Sequence, residues 1–128
     1  MKKKVLIVVS DYYKDIAESL LGSTKKFIYK KIKFDIIKVP GVFEIPVIIS
    51  RNIKKFDGFV AIGCVIRGKT AHFDLISKSV IDAIMDISID SKKPVGNCIL
   101  TCFNYKQALA RKKKGKEAAL ALNSILCK

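Results

Sequence analysis

The chain has 128 residues, half of them apolar and 28% charged, which suits one globular domain over residues 1–128 and not a disordered tail. No apolar run approaches the roughly 20 residues of a membrane-spanning helix, so the sequence predicts a soluble, cytoplasmic protein. The formal net charge of +14 would suit nucleic acid, a membrane surface or an anionic substrate, and by itself does not choose among them.

The first half of the chain reads as strand, helix, strand and helix. Residues 4–9 (KVLIVV) form a β-branched run that predicts a strand buried on both faces. Apolar residues at helical spacing predict a helix from residue 15 to about residue 28, and strand character returns over residues 33–39. After a Pro-Gly pair, residues 44–54 carry isoleucines on one helical stripe and predict a second helix.

The second half continues the alternation. It predicts a strand over residues 58–65, a helix over 75–90, a strand over 94–101, and two helical pieces over 105–111 and 116–126. Strands that alternate with helices predict a single α/β domain with three αβα layers. Its four-stranded parallel sheet of flavodoxin-like topology would carry helices on both faces.

Ligands of such sheets bind beyond the carboxyl ends of the strands. One of these ends holds residues 67–70 (RGKT), where backbone amides, a hydroxyl and two cations meet in front of a helix and favour an anion. The spacing is not that of a Walker loop. An ordinary capped turn is the alternative explanation of the same residues. His72, the only histidine, could move protons near neutral pH or serve only in packing. Asp74 could orient His72 or cap the following helix, and the cap is the preferred interpretation.

Two other strand ends hold candidate contacts for a polar ligand. Tyr12 and Tyr13 offer rings on which a planar ligand could stack, or they only pack at the rim. The turn at residues 40–44 exposes amides and the Glu44 carboxylate, or is only a turn and a helix cap. A phosphoacceptor receiver domain would need an acidic cluster after the first strand and an aspartate at the end of the third. A flavodoxin would need a loop rich in Ser, Thr and Gly after the first strand. Both families are therefore disfavoured.

The cysteines and lysines predict neither a metal site nor a dedicated polyanion groove. Cys64, Cys98, Cys102 and Cys127 form no CxxC pair and have one histidine to join them, so buried, reduced thiols are preferred. The lysines are dispersed, without interleaved aromatic residues or a known DNA-reading motif. A solvated basic surface is therefore the favoured interpretation.

Two segments, residues 39–46 (VPGVFEIP) and 63–74 (GCVIRGKTAHFD), resemble the signature segments of lumazine synthases, the riboflavin synthase beta-chain family. Further similarity covers nearly the whole chain and lies at residues 7–12, 94–101, 107–108 and 114–119. The resemblance implies a transferase that condenses 5-amino-6-(D-ribitylamino)uracil with L-3,4-dihydroxy-2-butanone 4-phosphate. The products would be 6,7-dimethyl-8-ribityllumazine, phosphate and water, in the penultimate step of riboflavin biosynthesis. No metal or organic cofactor is implied.

The resemblance also implies roles for individual residues. Tyr12 takes the place of an aromatic that stacks on the pyrimidine, and Val65 and Ile66 contact the same ring. Asn97 stands where many relatives place a phenylalanine of the neighbouring subunit, and His72 matches the residue proposed to transfer protons. The ribityl chain would be held by Val42, Phe43 and Glu44, and the substrate phosphate by Gly68, Lys69 and Thr70 with Arg111 and Lys114 of the adjacent subunit.

The resemblance implies a homo-oligomer with its site at the subunit interface, small-molecule substrates and riboflavin synthase as a candidate protein partner, and neither nucleic acid nor a membrane. A pentamer or a pair of pentamers is expected, because the chain starts almost directly at the first strand. Lys112-Lys113 also replaces the longer linker associated with icosahedral shells. The alternatives are a basic α/β nucleic-acid-binding domain, which rests on charge alone, and a catalytically silent scaffold of the same fold.

Overall fold

The computed structural model describes residues 2–68 and 72–128. None of the helices in these two ranges is long and apolar enough to cross a membrane. A 3₁₀ turn, Val42–Glu44, precedes the second α-helix. The strands and α-helices are β1 (Lys4–Ser10), α1 (Lys14–Phe27), β2 (Lys33–Val39), α2 (Ile45–Arg51), β3 (Gly58–Ile66), α3 (His72–Ser91), β4 (Val95–Cys102), α4 (Tyr105–Ala110) and α5 (Gly115–Leu126).

The four strands form one parallel sheet in the order β2-β1-β3-β4. Helices α1 and α5 pack together on one face, and α2 and α3 cover the other. This arrangement confirms the predicted α/β class with a flavodoxin-like parallel sheet. The strand order reverses between β1 and β3, and the crevice at such a switch point is where sheets of this kind bind ligands.

Strand β1 shows why the sequence folds in this way. Val5, Ile7 and Val9 point into the core beneath α1 and α5, while Leu6 and Val8 point into the core beneath α2 and α3. A central strand with helices on both faces has no solvated side, so it is apolar at successive positions and does not alternate. The carboxyl end of β1 is thereby held firmly between two packed layers.

The observed bounds differ from the sequence prediction near the predicted site. The helix that was predicted over residues 44–54 is shorter in the structure. Val42–Glu44 forms the 3₁₀ turn, and α2 ends at Arg51. Helix α3 begins at His72 instead of residue 75. Asp74 therefore lies inside the first turn of α3, and the prediction that it caps the helix is wrong. The positive end of the helix dipole still stabilises an acidic side chain in this turn.

Gly115 allows α5 to begin in close contact with α1. A Cβ atom at this position would collide with the carbonyl oxygen of Leu20 and Oγ of Ser23, and would lie 2.5 Å from Oγ1 of Thr24. Thr24 is fully buried, and its hydroxyl donates a hydrogen bond of 2.8 Å to the Leu20 carbonyl. The start of α5 therefore lies against a backbone that has no room to move away.

We expect Gly115→Ala to lower the free energy of unfolding by about 1–3 kcal/mol, as overpacking of a tight contact does. Gly22→Ala is the matched control, because Gly22 lies within α1 with open space around it and alanine is the better helix former. This control should raise stability by about 0.5–1 kcal/mol. Urea denaturation measures both changes, and equal stability of the two variants would contradict the packing argument.

Candidate active site

A cavity of about 560 Å³ opens at the carboxyl ends of β1 and β3. It is therefore located at the switch point of the sheet, where the fold favours ligand binding. Its lining is mostly apolar, with a few polar groups, which is the usual character of a small-molecule site. The lining residues are Ser10, Tyr12, Tyr13, Gly41, Val42, Phe43, Cys64, Val65, Ile66, Gly68, His72, Phe73 and Ile76.

The Val42–Glu44 turn rests directly on β3 because residue 63 is glycine. A Cβ atom on Gly63 would collide with Cγ1 of Val42 and would lie 3.3 Å from Cβ of Ser10. Val42 is buried by this contact, whereas Phe43 remains 62% exposed at the mouth of the cavity. The Glu44 carboxylate lies beside Gly41, and the Glu44 amide donates to the Gly41 carbonyl at 3.2 Å.

Aromatic rings form a second wall of the cavity. The rings of Tyr12 and Tyr13 meet edge to face, with centroids 5.0 Å apart and an interplanar angle of 81°. Tyr13 also lies 6.4 Å from the ring of Tyr105. Burial raises the pKa of the Tyr13 phenol, and the neighbouring Tyr12 and Cys64 raise it further. Tyr13 therefore remains a neutral phenol and supports Tyr12, whose ring is 73% exposed and accessible for stacking.

The segment after β3 brings Gly68 and His72 to the third side of the cavity, and Arg67 lies just outside its lining. His72 is the first residue of α3 and is exposed to solvent. The Arg67 amide donates to the Cys102 carbonyl at 2.8 Å, and the Arg67 guanidinium lies 5.6 Å from the centroid of Phe103. Phe73 contacts the same ring at 6.2 Å. The predicted contacts Lys69 and Thr70 lie outside the described residues.

The chain is similar to known proteins over nearly its whole length. A family model described as 6,7-dimethyl-8-ribityllumazine synthase matches residues 2–127. Proteins of that name in Bartonella bacilliformis and Agrobacterium fabrum are 39% and 41% identical to this chain. The alignments cover 96% and 98% of the chain and 86% and 93% of the relatives. A relative in Bartonella tribocorum is 38% identical over 99% of the chain and 89% of its own length.

The chain belongs to the lumazine synthase family. Membership confirms the resemblance found in the sequence and makes the chain a transferase of riboflavin biosynthesis. The reaction of the family is the formation of 6,7-dimethyl-8-ribityllumazine. Lumazine synthases act on small molecules and assemble into oligomers, and these two properties follow from membership.

The lumazine synthase fold places some of the predicted site residues around one cavity within a single chain. Tyr12, Val42, Phe43, Val65, Ile66, Gly68 and His72 all line the cavity. Glu44 lies beside Gly41 and does not line the cavity. Asn97 is exposed in the middle of β4, opposite Ala61, where its side-chain oxygen accepts a hydrogen bond of 3.1 Å from the Ile99 amide.

Arg111 and Lys114 also lie outside the cavity of their own chain. They occupy the connection between α4 and α5, where Arg111 follows the last residue of α4 and Lys114 precedes the first residue of α5. The Arg111 guanidinium makes a long contact of 3.9 Å with Sγ of Cys102, as donor. Two of the predicted anion contacts are thus not among the residues that line the cavity of their own chain.

The cavity also contains residues outside the predicted set of substrate contacts. Ser10 lies at a strand end where the fold favours ligand binding, so its position is the signal that could have identified it. Tyr13 was named as a possible stacking ring but was not among the predicted substrate contacts. Phe73 and Ile76 enter the lining because α3 starts at His72, earlier than its apolar pattern indicates. Cys64 is the last buried residue of β3 before the strand reaches the mouth of the cavity.

The thiols are mostly buried, as expected. Cys64, Cys98 and Cys102 are buried, whereas Cys127 is exposed, so the prediction was wrong for that residue because it follows the end of α5. Burial raises the pKa of Cys64 to about 12, and the adjacent Cys102 contributes to this rise. Burial also raises the pKa of Cys98 to about 12. Across the described ranges, no group of three or more His, Cys, Asp or Glu side chains converges on a possible metal position.

We expect one thiol per chain to react with iodoacetamide at pH 8 in the folded protein, and four after unfolding. Cys127 is exposed, whereas a pKa of about 12 leaves Cys64 and Cys98 about one part in ten thousand thiolate at that pH. Mass spectrometry of the alkylated protein identifies the site. Cys127→Ser should abolish the reaction, and modification of Cys64 in that variant would show that the thiol is more accessible than its burial implies.

Proposed function

We propose that this cavity binds 5-amino-6-(D-ribitylamino)uracil and L-3,4-dihydroxy-2-butanone 4-phosphate together and condenses them to 6,7-dimethyl-8-ribityllumazine, phosphate and water. The observation that carries the proposal is the meeting of Tyr12, residues 42–43 of the turn and His72 around one cavity of about 560 Å³. Its size falls within the usual range for small-molecule sites.

The pyrimidine substrate lies between the aromatic wall and the end of β3. The exposed ring of Tyr12 stacks on the heterocycle, and Val65 and Ile66 contact its edge. Val42, Phe43 and Glu44 hold the ribityl chain, since the 3₁₀ turn presents backbone groups and a carboxylate next to the cavity. The absence of a side chain at Gly63 lets this turn lie against β3, next to the cavity.

The phosphorylated substrate lies nearer to the start of α3. Gly68, Lys69 and Thr70 bind its phosphate, supported by the dipole of a 20-residue helix that begins at His72. Arg111 and Lys114 come from the adjacent subunit, and their position outside the cavity of their own chain supports this assignment. The net charge of +14 also raises the local concentration of an anionic substrate.

The chemistry requires the two substrates to form an imine, lose phosphate and cyclise, so the protein need supply no nucleophile. Cys64 is unsuited to that role because its pKa of about 12 keeps it a thiol. His72 transfers protons, which contributes roughly 3–5 kcal/mol, whereas positioning of two reactants can contribute roughly 7–11 kcal/mol. Orientation by the cavity therefore lowers the barrier more than proton transfer does.

The direct test mixes both substrates with the protein and follows the absorbance of the lumazine product. Turnover well above the uncatalysed rate supports the proposal. A folded protein that binds neither substrate and shows no turnover contradicts it and favours a silent scaffold. Binding of DNA or RNA that weakens steeply with salt, again without turnover, would favour the nucleic-acid alternative.

We expect His72→Ala to lower kcat by about 10²-fold and to retain measurable activity, because it removes one proton relay and leaves positioning intact. Steady-state kinetics with both substrates varied measure the change. His72→Gln is the matched control, since it keeps a polar side chain at the start of α3 that cannot act as an acid or a base. If His72→Ala is wholly inactive but binds its substrates normally, proton transfer contributes more than positioning.

We expect Arg111→Ala to raise KM for the butanone phosphate by about 10- to 100-fold, the loss of a charged hydrogen bond, while KM for the pyrimidine stays within about twofold. Arg111→Lys should recover part of the loss because it keeps the charge. Inorganic phosphate should inhibit the wild type more strongly than Arg111→Ala. An equal rise in both KM values would point to a general disturbance of the site.

The site is completed only in an assembly, which we infer to be a pentamer or a pair of pentamers of one-domain subunits in the cytoplasm. Large exposed apolar side chains support an assembly, among them Leu75 at 67%, Ile89 at 64% and Phe103 at 61% exposure. Asn97, also on the surface, would face the neighbour's site in place of an aromatic ring. Riboflavin synthase is a candidate partner that would receive the product.

Native mass spectrometry and light scattering are expected to give five or ten chains per particle. Mixtures of Arg111→Ala and Gly63→Val subunits, each impaired alone, test the shared site further, since a site built from two subunits regains activity when the damaged parts fall in different sites. A particle near sixty subunits would reject the pentamer, and an active monomer would reject the shared site.

A further inference from the structure

Ser10 places a buried hydroxyl group at the base of the candidate site. It is the last residue of β1, it is 2% exposed, and it lines the cavity. Its Oγ atom makes no hydrogen bond with any of the described residues. Buried hydroxyls almost always have partners, because removal from water without one is unfavourable. A hydroxyl in this position indicates a partner that enters the cavity.

The position of Ser10 selects one part of the cavity. Its Cβ atom lies 3.3 Å from the point that a Cβ on Gly63 would occupy, and Val42 approaches the same point from the turn. Ser10 also pairs in register with Val39, the last residue of β2 before that turn. The hydroxyl is therefore close to the Val42–Glu44 turn, which the pyrimidine substrate contacts in the proposed function.

The apolar walls around Ser10 make its hydroxyl selective for a ligand that can form hydrogen bonds. Val42, Cys64, Val65 and Ile66 give the neighbouring walls an apolar character, and Cys64 remains a neutral thiol. A few polar groups in such a cavity fix the orientation of a ligand. A serine hydroxyl can donate one hydrogen bond and accept others, which suits a ligand that carries both kinds of group. The ribitylaminouracil does so in its ring and in its hydroxyl chain.

A second serine shows that burial alone does not define the site. Ser77 Oγ on α3 is also buried and makes no hydrogen bond among the described residues, but Ser77 does not line the cavity. Ser10 differs from it because Ser10 is one of the residues that line the cavity. Ser77 therefore provides a matched control for the effect of deleting a buried hydroxyl.

We infer that Ser10 is a substrate-binding residue whose hydroxyl forms a hydrogen bond with the ribitylaminouracil substrate and sets the preference for it. The inference rests on the proposed function for the identity of the ligand. It assigns no proton transfer to Ser10, so its role is to bind and orient. The phosphorylated substrate, which lies toward Gly68, does not depend on it.

The test uses the full-length assembly with Ser10→Ala, Ser10→Cys and Ser77→Ala. We expect Ser10→Ala and Ser10→Cys to weaken binding of 5-amino-6-(D-ribitylamino)uracil about 10-fold, measured by calorimetry without the second substrate. KM for the butanone phosphate should stay within about twofold. Thermal unfolding without ligand should occur at an unchanged or higher temperature, because no hydrogen bond within the described protein is lost. Ser77→Ala should bind as the wild type does.

Several outcomes overturn the inference. Unchanged binding in both Ser10 variants does so, as does full recovery in Ser10→Cys, which would mean that side-chain volume and not the hydrogen bond matters. Equally weakened binding of both substrates, together with a lower unfolding temperature, would mean that Ser10 has a structural role. Wild type that binds the pyrimidine without turnover would overturn the proposed reaction and leave this inference supported by the Ser10 variants. Wild type that does not bind the pyrimidine overturns both.

Discussion

The contact between Val42 and the backbone of Gly63 is the constraint on which the candidate site depends. A side chain at residue 63 would occupy the space of Val42 Cγ1, so only glycine allows the turn after β2 to rest on β3. That turn then shares the base of the cavity with Ser10 and presents Phe43 at its mouth. Three strand ends become one site because two segments distant in sequence approach within van der Waals contact.

The cavity is suited to holding reactants and offers few groups that react. Its thiol is kept neutral by burial and its Tyr13 phenol is shifted away from ionisation, so neither of these side chains is activated as a nucleophile or a base. Cations lie beyond the apolar walls, at Arg67 and on the α4–α5 connection. In the proposed function, this division separates orientation of the ring from attraction of the phosphate.

Much of the fold was predictable because the apolar pattern is strong. The central strands are apolar at successive positions, and the order of strands and helices along the chain allows few right-handed parallel topologies. The start of α3 was not predictable in the same way. His72 and Asp74 are polar and belong to no apolar stripe, so periodicity placed the helix start three residues late. Cys127 was misjudged because burial of a thiol near a helix end depends on what covers it.

The sequence by itself determined the family, the parallel α/β architecture and the identity of most residues that meet at the cavity. These follow from motifs and from local apolar patterns that survive without knowledge of distances. Only the tertiary structure decided that Ser10 and Cys64 share the cavity and that Asp74 does not cap α3. The reason is physical: burial and proximity arise from the packing of distant segments, which no single stretch of sequence encodes.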